Sequence, residues 1–186
     1  IPELTIPMTM AMIDYLGIKR GQTVIDLGCA KGYVVKALRW LGRESWGVDI
    51  SQYAIKNVDE SVRRFCFLKE HDIPLWMLSK TADFCIAKDV FEHITEDDLP
   101  ETLEWVDAHE LFAVIPLGNE RGYFAPVNNM DKTHVICKGD DWWITIFKRN
   151  GWSLKNFTYR VPGIKDSYYK IHPKSHGFFT LRRQHA

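Results

Sequence analysis

The chain has 186 residues, of which 46% are hydrophobic and 26% are charged, and its 24 Lys and Arg residues balance its 24 Asp and Glu residues. This length and composition predict a single domain, residues 1–186, with a sizeable hydrophobic core. A formal net charge of zero removes the long-range attraction that draws proteins to polyanions, and so disfavours a nucleic acid as the partner.

No segment approaches the roughly 20 consecutive apolar residues that a membrane-spanning helix needs. The N-terminus lacks the basic and apolar regions of a signal peptide. The four cysteines show no Cys-x-x-Cys spacing and are expected to be reduced thiols, so we expect a cytoplasmic protein without a membrane span. The first residue is not methionine, which suggests that the chain is part of a longer protein. The sequence predicts no oligomeric state.

Short apolar runs alternate with segments of helical periodicity over the first two thirds of the chain. Because these runs are apolar on both faces and are separated by helix-length connections, they are typical of a parallel sheet covered by helices on both sides. In chain order, the predicted elements are a helix over 4–16, a strand over 23–27, a helix over 33–41, a strand over 45–49, a helix capped by Ser51, strands over 64–68 and 82–87, a helix that begins near Thr95, and a strand over 111–115.

The C-terminal part departs from this alternation. A predicted helix over 140–150 is followed by strand-like runs over 152–161 and 177–183, which a connection rich in turn-forming residues joins. Two strands that are joined without a crossover helix are antiparallel. We therefore predict an α/β fold with a Rossmann-like, doubly wound sheet of seven strands, mostly parallel with an antiparallel strand near the C-terminus.

The first predicted strand leads into the loop Asp26-Leu27-Gly28-Cys29-Ala30-Lys31-Gly32. In an open parallel sheet the ligand lies beyond the carboxyl ends of the strands, and small residues in this loop let the main chain approach it closely. Asp49 ends the second strand, 21 residues after Gly28. A carboxylate at that place can accept both hydroxyl groups of a ribose, so the pattern predicts a nucleoside-containing cofactor.

The loop differs from a dinucleotide-binding loop in two respects. Ala30 stands where the second glycine of G-x-G-x-x-G belongs. Asp26 would repel a diphosphate but would favour a cationic amino or sulfonium group. An NAD-binding oxidoreductase is therefore the less favoured alternative.

Two segments, 24–32 and 47–51, closely resemble the first two motifs of the class I S-adenosylmethionine-dependent methyltransferases. Segments 70–74 and 83–94 resemble the acidic turn after the third strand of that family and its fourth strand, so that the resemblance covers about residues 20–160 in order. It implies S-adenosylmethionine as the cofactor. By this resemblance, the cofactor-binding residues are Asp26, Gly28, Ala30 and Gly32 at the methionine part, Asp49 at the ribose, Ile50 against the adenine, Asp72 and Ile73 at the adenine edge, and Asp89 near the sulfonium.

Methyl transfer is an in-line displacement that needs alignment, and it needs a base when the acceptor is a hydroxyl group. His93 follows the fourth strand and His134 follows the fifth, so both belong to the end of the sheet where a ligand is expected. The sequence Asp131-x-Thr133-His134 resembles a segment of many small-molecule methyltransferases, which favours His134 as the base or as an acceptor-orienting residue. We predict that His134, His93 and Asp89 are catalytic; a purely structural role for either histidine is the alternative.

The predicted function is that of a transferase, which moves a methyl group from S-adenosylmethionine to a small-molecule substrate. A nucleic-acid or protein methyltransferase and a non-catalytic S-adenosylmethionine-binding module of a larger protein are the alternatives. His172 and His176 are four residues apart and could share a metal ion. Because no third ligand is evident beside them, no metal site is predicted.

Overall fold

The computed structural model describes residues 2–69 and 81–184. The helices of this part are α1 (Pro2–Leu16), α2 (Tyr33–Trp40), α3 (Gln52–Lys56), α4 (Leu99–Trp105), α5 (Asp140–Arg149) and α6 (Asp166–Ile171), and 3₁₀ turns cover Glu60–Phe65, Phe91–His93 and Pro126–Met130. The strands are β1 (Thr23–Leu27), β2 (Glu44–Asp49), β3 (Cys66–Leu68), β4 (Ala82–Lys88), β5 (Ala108–Pro116), β6 (Gly118–Asn119), β7 (Gly122–Tyr123), β8 (Trp152–Thr158) and β9 (His176–Arg183). Within the described ranges, none of the helices combines the length and the apolar character that crossing a membrane requires.

Seven strands form one sheet in the order β3-β2-β1-β4-β5-β9-β8, while β6 and β7 pair with each other. β2 is parallel to both β1 and β3. β9 is antiparallel to both of its neighbours, β5 and β8. The predicted Rossmann-like sheet, mostly parallel with an antiparallel strand near the C-terminus, is confirmed.

The chain divides into two compact units, of which the first comprises Ile1–Ile86 with Asp107–His109. In this unit β1 is buried along its last four residues, which agrees with the apolar pattern that predicted a central strand. α2 buries Val35 and Leu38 and packs against α1 and β2. This packing holds the carboxyl ends of β1 and β2 next to each other, with Leu27 paired to Val48.

The second unit comprises Ala87–Val106 with Glu110–Ala186. Its core is aromatic: the ring of Phe147 on α5 lies 5.7 Å from that of Phe91 and 5.6 Å from that of Phe179 on β9. Phe91 is fully buried and is the first residue of a 3₁₀ turn. The core therefore holds that turn, and with it the two residues that follow Phe91.

Several element boundaries differ from the predicted ones. β3 contains only three residues, because Glu60–Phe65 form a 3₁₀ turn that the Asp59 side chain caps. α4 begins four residues after Thr95, whose hydroxyl donates to the Asp98 carboxylate at 2.6 Å and forms a turn ahead of the helix. The connection between the last two strands, predicted to be irregular, contains the six-residue helix α6.

Candidate functional site

The loop after β1 is held against the end of β2 by backbone hydrogen bonds. The N–H groups of Gly28 and Cys29 both donate to the carbonyl oxygen of Val48, at 2.8 and 3.1 Å. Gly28 and Ala30 have positive φ angles of 75° and 46°. Both residues are exposed, whereas Cys29 between them is buried. The backbone at these two positions is therefore accessible to a ligand.

Asp49 joins the ends of β1 and β2 through its side chain. One carboxylate oxygen accepts the N–H of Ala30 at 2.8 Å, and the other accepts the N–H of Ser51 at 2.7 Å. A left-handed conformation costs an alanine roughly 1 kcal/mol, and the bond to Asp49 offsets this cost at Ala30. Because each carboxylate oxygen has two lone pairs, each keeps one acceptor position for a further donor.

Two glycines of the motifs are required by packing inside the first unit. A Cβ atom on Gly47 would lie 2.5 Å from the Cβ and 2.6 Å from the Sγ of Cys29, so a side chain there would displace the loop. A Cβ on Gly32, which is buried and has φ of 75°, would lie 2.9 Å from the Sγ of Cys66. The hydrogen bond with Cys66, together with burial, raises the pKa of the Cys29 thiol, which keeps that thiol neutral and unreactive.

The other residues predicted to bind the cofactor differ in exposure. Asp26 is only 5% exposed, and its charge adds to the effect of burial in raising the pKa of Cys85. Ile50 is 78% exposed directly after Asp49, which makes it an apolar surface beside a carboxylate. The predicted residues Asp72 and Ile73 lie outside the described residues.

In the second unit, Asp89 follows β4 with a positive φ of 56°, and its N–H donates to the carbonyl of Val114 at 2.9 Å. Its carboxylate forms ion pairs with the ammonium groups of Lys88 and of Lys165, the latter at 2.7 Å. Burial opposes ionisation here, but the two ammonium charges prevail and lower the pKa of Asp89 to about 2. Asp89 is therefore ionised at neutral pH and is a weak base.

Three further side chains of the second unit form a group that we call the His–Glu cluster: Glu92, His93 and His134. The Nε2 atoms of both histidines lie 4.0 Å from Oε1 of Glu92, and the two imidazole rings are 4.7 Å apart. The backbone carbonyl of Glu92 accepts the N–H groups of Val135 and Ile136 at 2.8 and 3.2 Å. These bonds hold the segment that carries His134 against the 3₁₀ turn that carries His93.

Burial dominates the electrostatics of the cluster. Glu92 is fully buried, and burial together with the charge of Asp89 raises its pKa to about 8. Burial, followed by the charge of His93, lowers the pKa of His134. The Tyr123 ring lies 5.1 Å from that of His134, and its hydroxyl donates to a backbone carbonyl at 2.7 Å. Tyr123 therefore supports His134 by packing.

The structure brings three predicted catalytic residues, Asp89, His93 and His134, into one unit, and beside them it places two charged side chains, Glu92 and Lys165, that sequence reasoning missed. Glu92 had a local signal, since it immediately precedes His93 after a buried strand, but its complete burial could not be foreseen. Lys165 had no signal, because its partner Asp89 is distant in the chain.

The described part of the chain holds one group of side chains that converge closely enough to bind a metal ion. It is the His–Glu cluster, whose candidate ligand atoms all lie within 4.8 Å of one another. His172 and His176 do not belong to this group.

Comparison with known proteins agrees with this architecture. A family model described as "Methyltransferase domain" matches residues 9–110, which is more than half of the chain. No curated protein sequence matches the chain significantly.

Solved structures share the fold at low sequence identity. An S-adenosylmethionine-dependent methyltransferase from Archaeoglobus fulgidus is 17% identical, with a TM-score of 0.64 over 94% of this chain and 92% of that one. A TehB-like S-adenosylmethionine-dependent methyltransferase from Corynebacterium glutamicum is 14% identical, with a TM-score of 0.64 over 95% and 88%. The 1,6-didemethyltoxoflavin-N1-methyltransferase of Burkholderia thailandensis, solved with that compound and S-adenosylhomocysteine, is 13% identical, with a TM-score of 0.64 over 98% and 79%.

At these identities the structural likeness establishes the fold, and the family model establishes the family. Three features of this chain agree with that family: the loop after β1, the carboxylate of Asp49 at the end of β2, and the mostly parallel sheet. The chain belongs to the methyltransferase-domain family and has the class I fold of the S-adenosylmethionine-dependent methyltransferases.

Proposed function

We propose that this protein transfers a methyl group from S-adenosylmethionine to a small-molecule acceptor. The observation that carries the proposal is the arrangement around Asp49, whose carboxylate joins the loop after β1 to the end of β2. The family match over residues 9–110, which include this arrangement, supports it.

The residues of the first unit fit this cofactor. The exposed backbone of Gly28 and Ala30 can lie against its chain, and the remaining lone pairs of Asp49 can accept the two ribose hydroxyls. Ile50, 78% exposed, offers an apolar surface on which an adenine can pack. The buried carboxylate of Asp26 suits the cationic end of the cofactor better than a diphosphate. When bound, S-adenosylmethionine supplies a methyl group that the positive sulfur activates.

The predicted catalytic residues belong to the second unit. We propose that His134 and His93 activate an acceptor hydroxyl, since the Nδ1 atom of each lies against a backbone carbonyl, which leaves Nε2 to take up a proton. The proposed role of Asp89 is electrostatic, because a carboxylate with a pKa of about 2 holds no proton at neutral pH. Its ion pair with Lys165 holds the connection between β8 and β9 in place.

Two parts of the proposal rest on other grounds. That the acceptor is a small molecule rests on composition, and that the protein is cytoplasmic rests on thiol chemistry. The net charge is zero, which gives no general attraction to a polyanionic acceptor. All four cysteines are free, and Cys29, Cys66 and Cys85 are buried. Free buried thiols are compatible with a reducing compartment.

The direct test compares cofactors. We expect S-adenosylhomocysteine to raise the midpoint of thermal unfolding and NADH to leave it unchanged, because only a ligand of the folded state stabilises it. Release of labelled methyl groups to small-molecule acceptors, measured in parallel, should show turnover. Stabilisation by NADH alone would contradict the cofactor assignment, and binding without any methyl release would identify a non-catalytic module.

The role of Asp49 can be tested by substitution. Asp49→Ala should weaken binding of S-adenosylhomocysteine by roughly 1–3 kcal/mol, or about 5- to 150-fold in Kd, because it removes the ribose acceptor and the bond that stabilises Ala30. Isothermal titration calorimetry measures this change. The matched control is Asp14→Ala, which alters an exposed carboxylate on α1 and should leave the Kd unchanged. Equal affinity of Asp49→Ala and the wild type would exclude the ribose role.

A further inference from the structure

The carboxylate of Glu92 is the least satisfied ionisable group among the described residues. It is fully buried, and neither of its oxygen atoms has a hydrogen-bond partner. A buried carboxylate without a partner is strongly unfavourable, so such a group is paired, takes up a proton, or loses that proton to bind a metal ion. Two imidazole nitrogens, which are common metal ligands, lie 4.0 Å from its Oε1 atom.

Both imidazoles of the His–Glu cluster are oriented by their Nδ1 atoms. Nδ1 of His134 lies 3.0 Å from the carbonyl oxygen of Asn128. Because a carbonyl only accepts, the neutral imidazole carries its proton on this nitrogen, and Nε2 then holds a free lone pair. Nε2 lies 4.0 Å from Oε1 of Glu92 and 3.6 Å from Oδ2 of Asp131.

His93 is oriented through a short chain of hydrogen bonds. The Thr133 hydroxyl donates to Oδ1 of Asp131 at 2.6 Å, so it can only accept from Nδ1 of His93, which lies 2.9 Å away. The carbonyl of Thr133, 3.2 Å from the same Nδ1, is a second acceptor. Nδ1 is thus protonated, and Nε2 of His93 also lies 4.0 Å from Oε1 of Glu92. Outer partners that hold imidazole rings in this way are typical of metal ligands.

We propose that Glu92, His93 and His134 bind one divalent transition-metal ion of the Zn²⁺ type, through Nε2 of each histidine and the carboxylate of Glu92. The separations of 4.0 Å are longer than hydrogen bonds, so a direct imidazole–carboxylate dyad does not explain them. They exceed the spacing of ligand atoms around a tetrahedral ion with bonds of about 2.0–2.2 Å by roughly half an ångström, and all candidate ligand atoms lie within 4.8 Å of one another, so the side chains must move closer together around a bound ion.

Two histidines and one glutamate leave a coordination position open, as in catalytic metal sites. The use of that position rests on the proposed function. An acceptor hydroxyl bound there would release its proton to water more readily, which would make its oxygen a stronger nucleophile for methyl transfer. The histidines would then activate the acceptor hydroxyl through the ion that they bind.

The experiment measures binding of ZnCl₂ to the whole chain after removal of metals with a chelator. Calorimetry should show one ion per chain for the wild type, and Glu92→Gln and His134→Ala should each bind about 100-fold more weakly or worse, in line with the loss of a ligand. Binding of Co²⁺ should produce a visible absorption band that the same variants lose. His172→Ala, which changes a histidine outside the cluster, should match the wild type in both measurements.

If Glu92→Gln does not fold, as judged by circular dichroism, the Zn²⁺ affinity of His93→Ala tests the metal site instead. The His93 side chain is 33% exposed, so its removal leaves no large cavity. Three results would overturn the metal site. They are wild-type affinity for Zn²⁺ in His93→Ala, an equal loss of Zn²⁺ affinity in His172→Ala, and no binding of Zn²⁺ by the wild type. Binding of S-adenosylhomocysteine is measured in parallel. Zn²⁺ binding without cofactor binding would refute the proposed function alone, and cofactor binding without Zn²⁺ binding would refute the metal site alone.

Discussion

Replacing Trp143 with alanine should lower the free energy of unfolding by about 3–5 kcal/mol, the usual result of removing a large buried aromatic side chain. Trp143 on α5 is fully buried, and its ring lies 6.0 Å from that of Phe147 and 6.5 Å from that of Phe91. The cavity would open beside Phe91, the residue on which the 3₁₀ turn of Glu92 and His93 rests. Urea unfolding followed by circular dichroism at constant pH measures the change.

The matched control for this substitution is Trp40→Ala. Trp40 is 64% exposed, and the ammonium group of Lys36 lies 4.9 Å from the centroid of its ring. An exposed cation–π contact contributes about 0.5–1 kcal/mol, so the control should lose no more than that. Equal losses in the two variants, or a loss below about 1 kcal/mol for Trp143→Ala, would contradict the assignment of Trp143 to the core.

Acid should destabilise the protein through His176, the first residue of β9. His176 is 3% exposed, and burial followed by the charge of Lys165 lowers its pKa from 6.5 to about 4. The folded state thus keeps this imidazole neutral at pH values where the unfolded state protonates it. Its contribution to stability is complete above pH 6.5 and is lost as the pH falls towards 4.

The shift corresponds to about 3 kcal/mol, because each pKa unit is worth about 1.4 kcal/mol. We expect His176→Gln, which cannot be protonated, to lose less stability than the wild type between pH 7.5 and pH 4.5. Urea unfolding at both pH values measures the difference, and His109→Gln, which alters an exposed histidine on β5, serves as the control. The same pH dependence in His176→Gln and the wild type would show that His176 does not cause the acid sensitivity.

Much of the fold could be predicted because its signals are local. The apolar runs of β1 and β5 identify buried strands, and the absence of a clear crossover helix before β9 predicted its antiparallel direction. Asp49 was also recognisable, since it ends the second strand 21 residues after Gly28, a place at which a carboxylate can bind a ribose. Boundaries such as that of β3 were missed, because a side-chain cap at Asp59 competes with the strand for the preceding residues.

The candidate sites also differ in how much of each could be predicted from local sequence. The sequence by itself determined the family, the glycine-containing loop and the carboxylate after β2, because neighbouring residues in a short strand–loop–helix segment encode them. Only the tertiary structure decided that Glu92 is completely buried, that Lys165 pairs with Asp89, and that His93 and His134 face one carboxylate. Those properties depend on burial and on charges from distant parts of the chain, and these arise only when packing excludes water and brings the segments together.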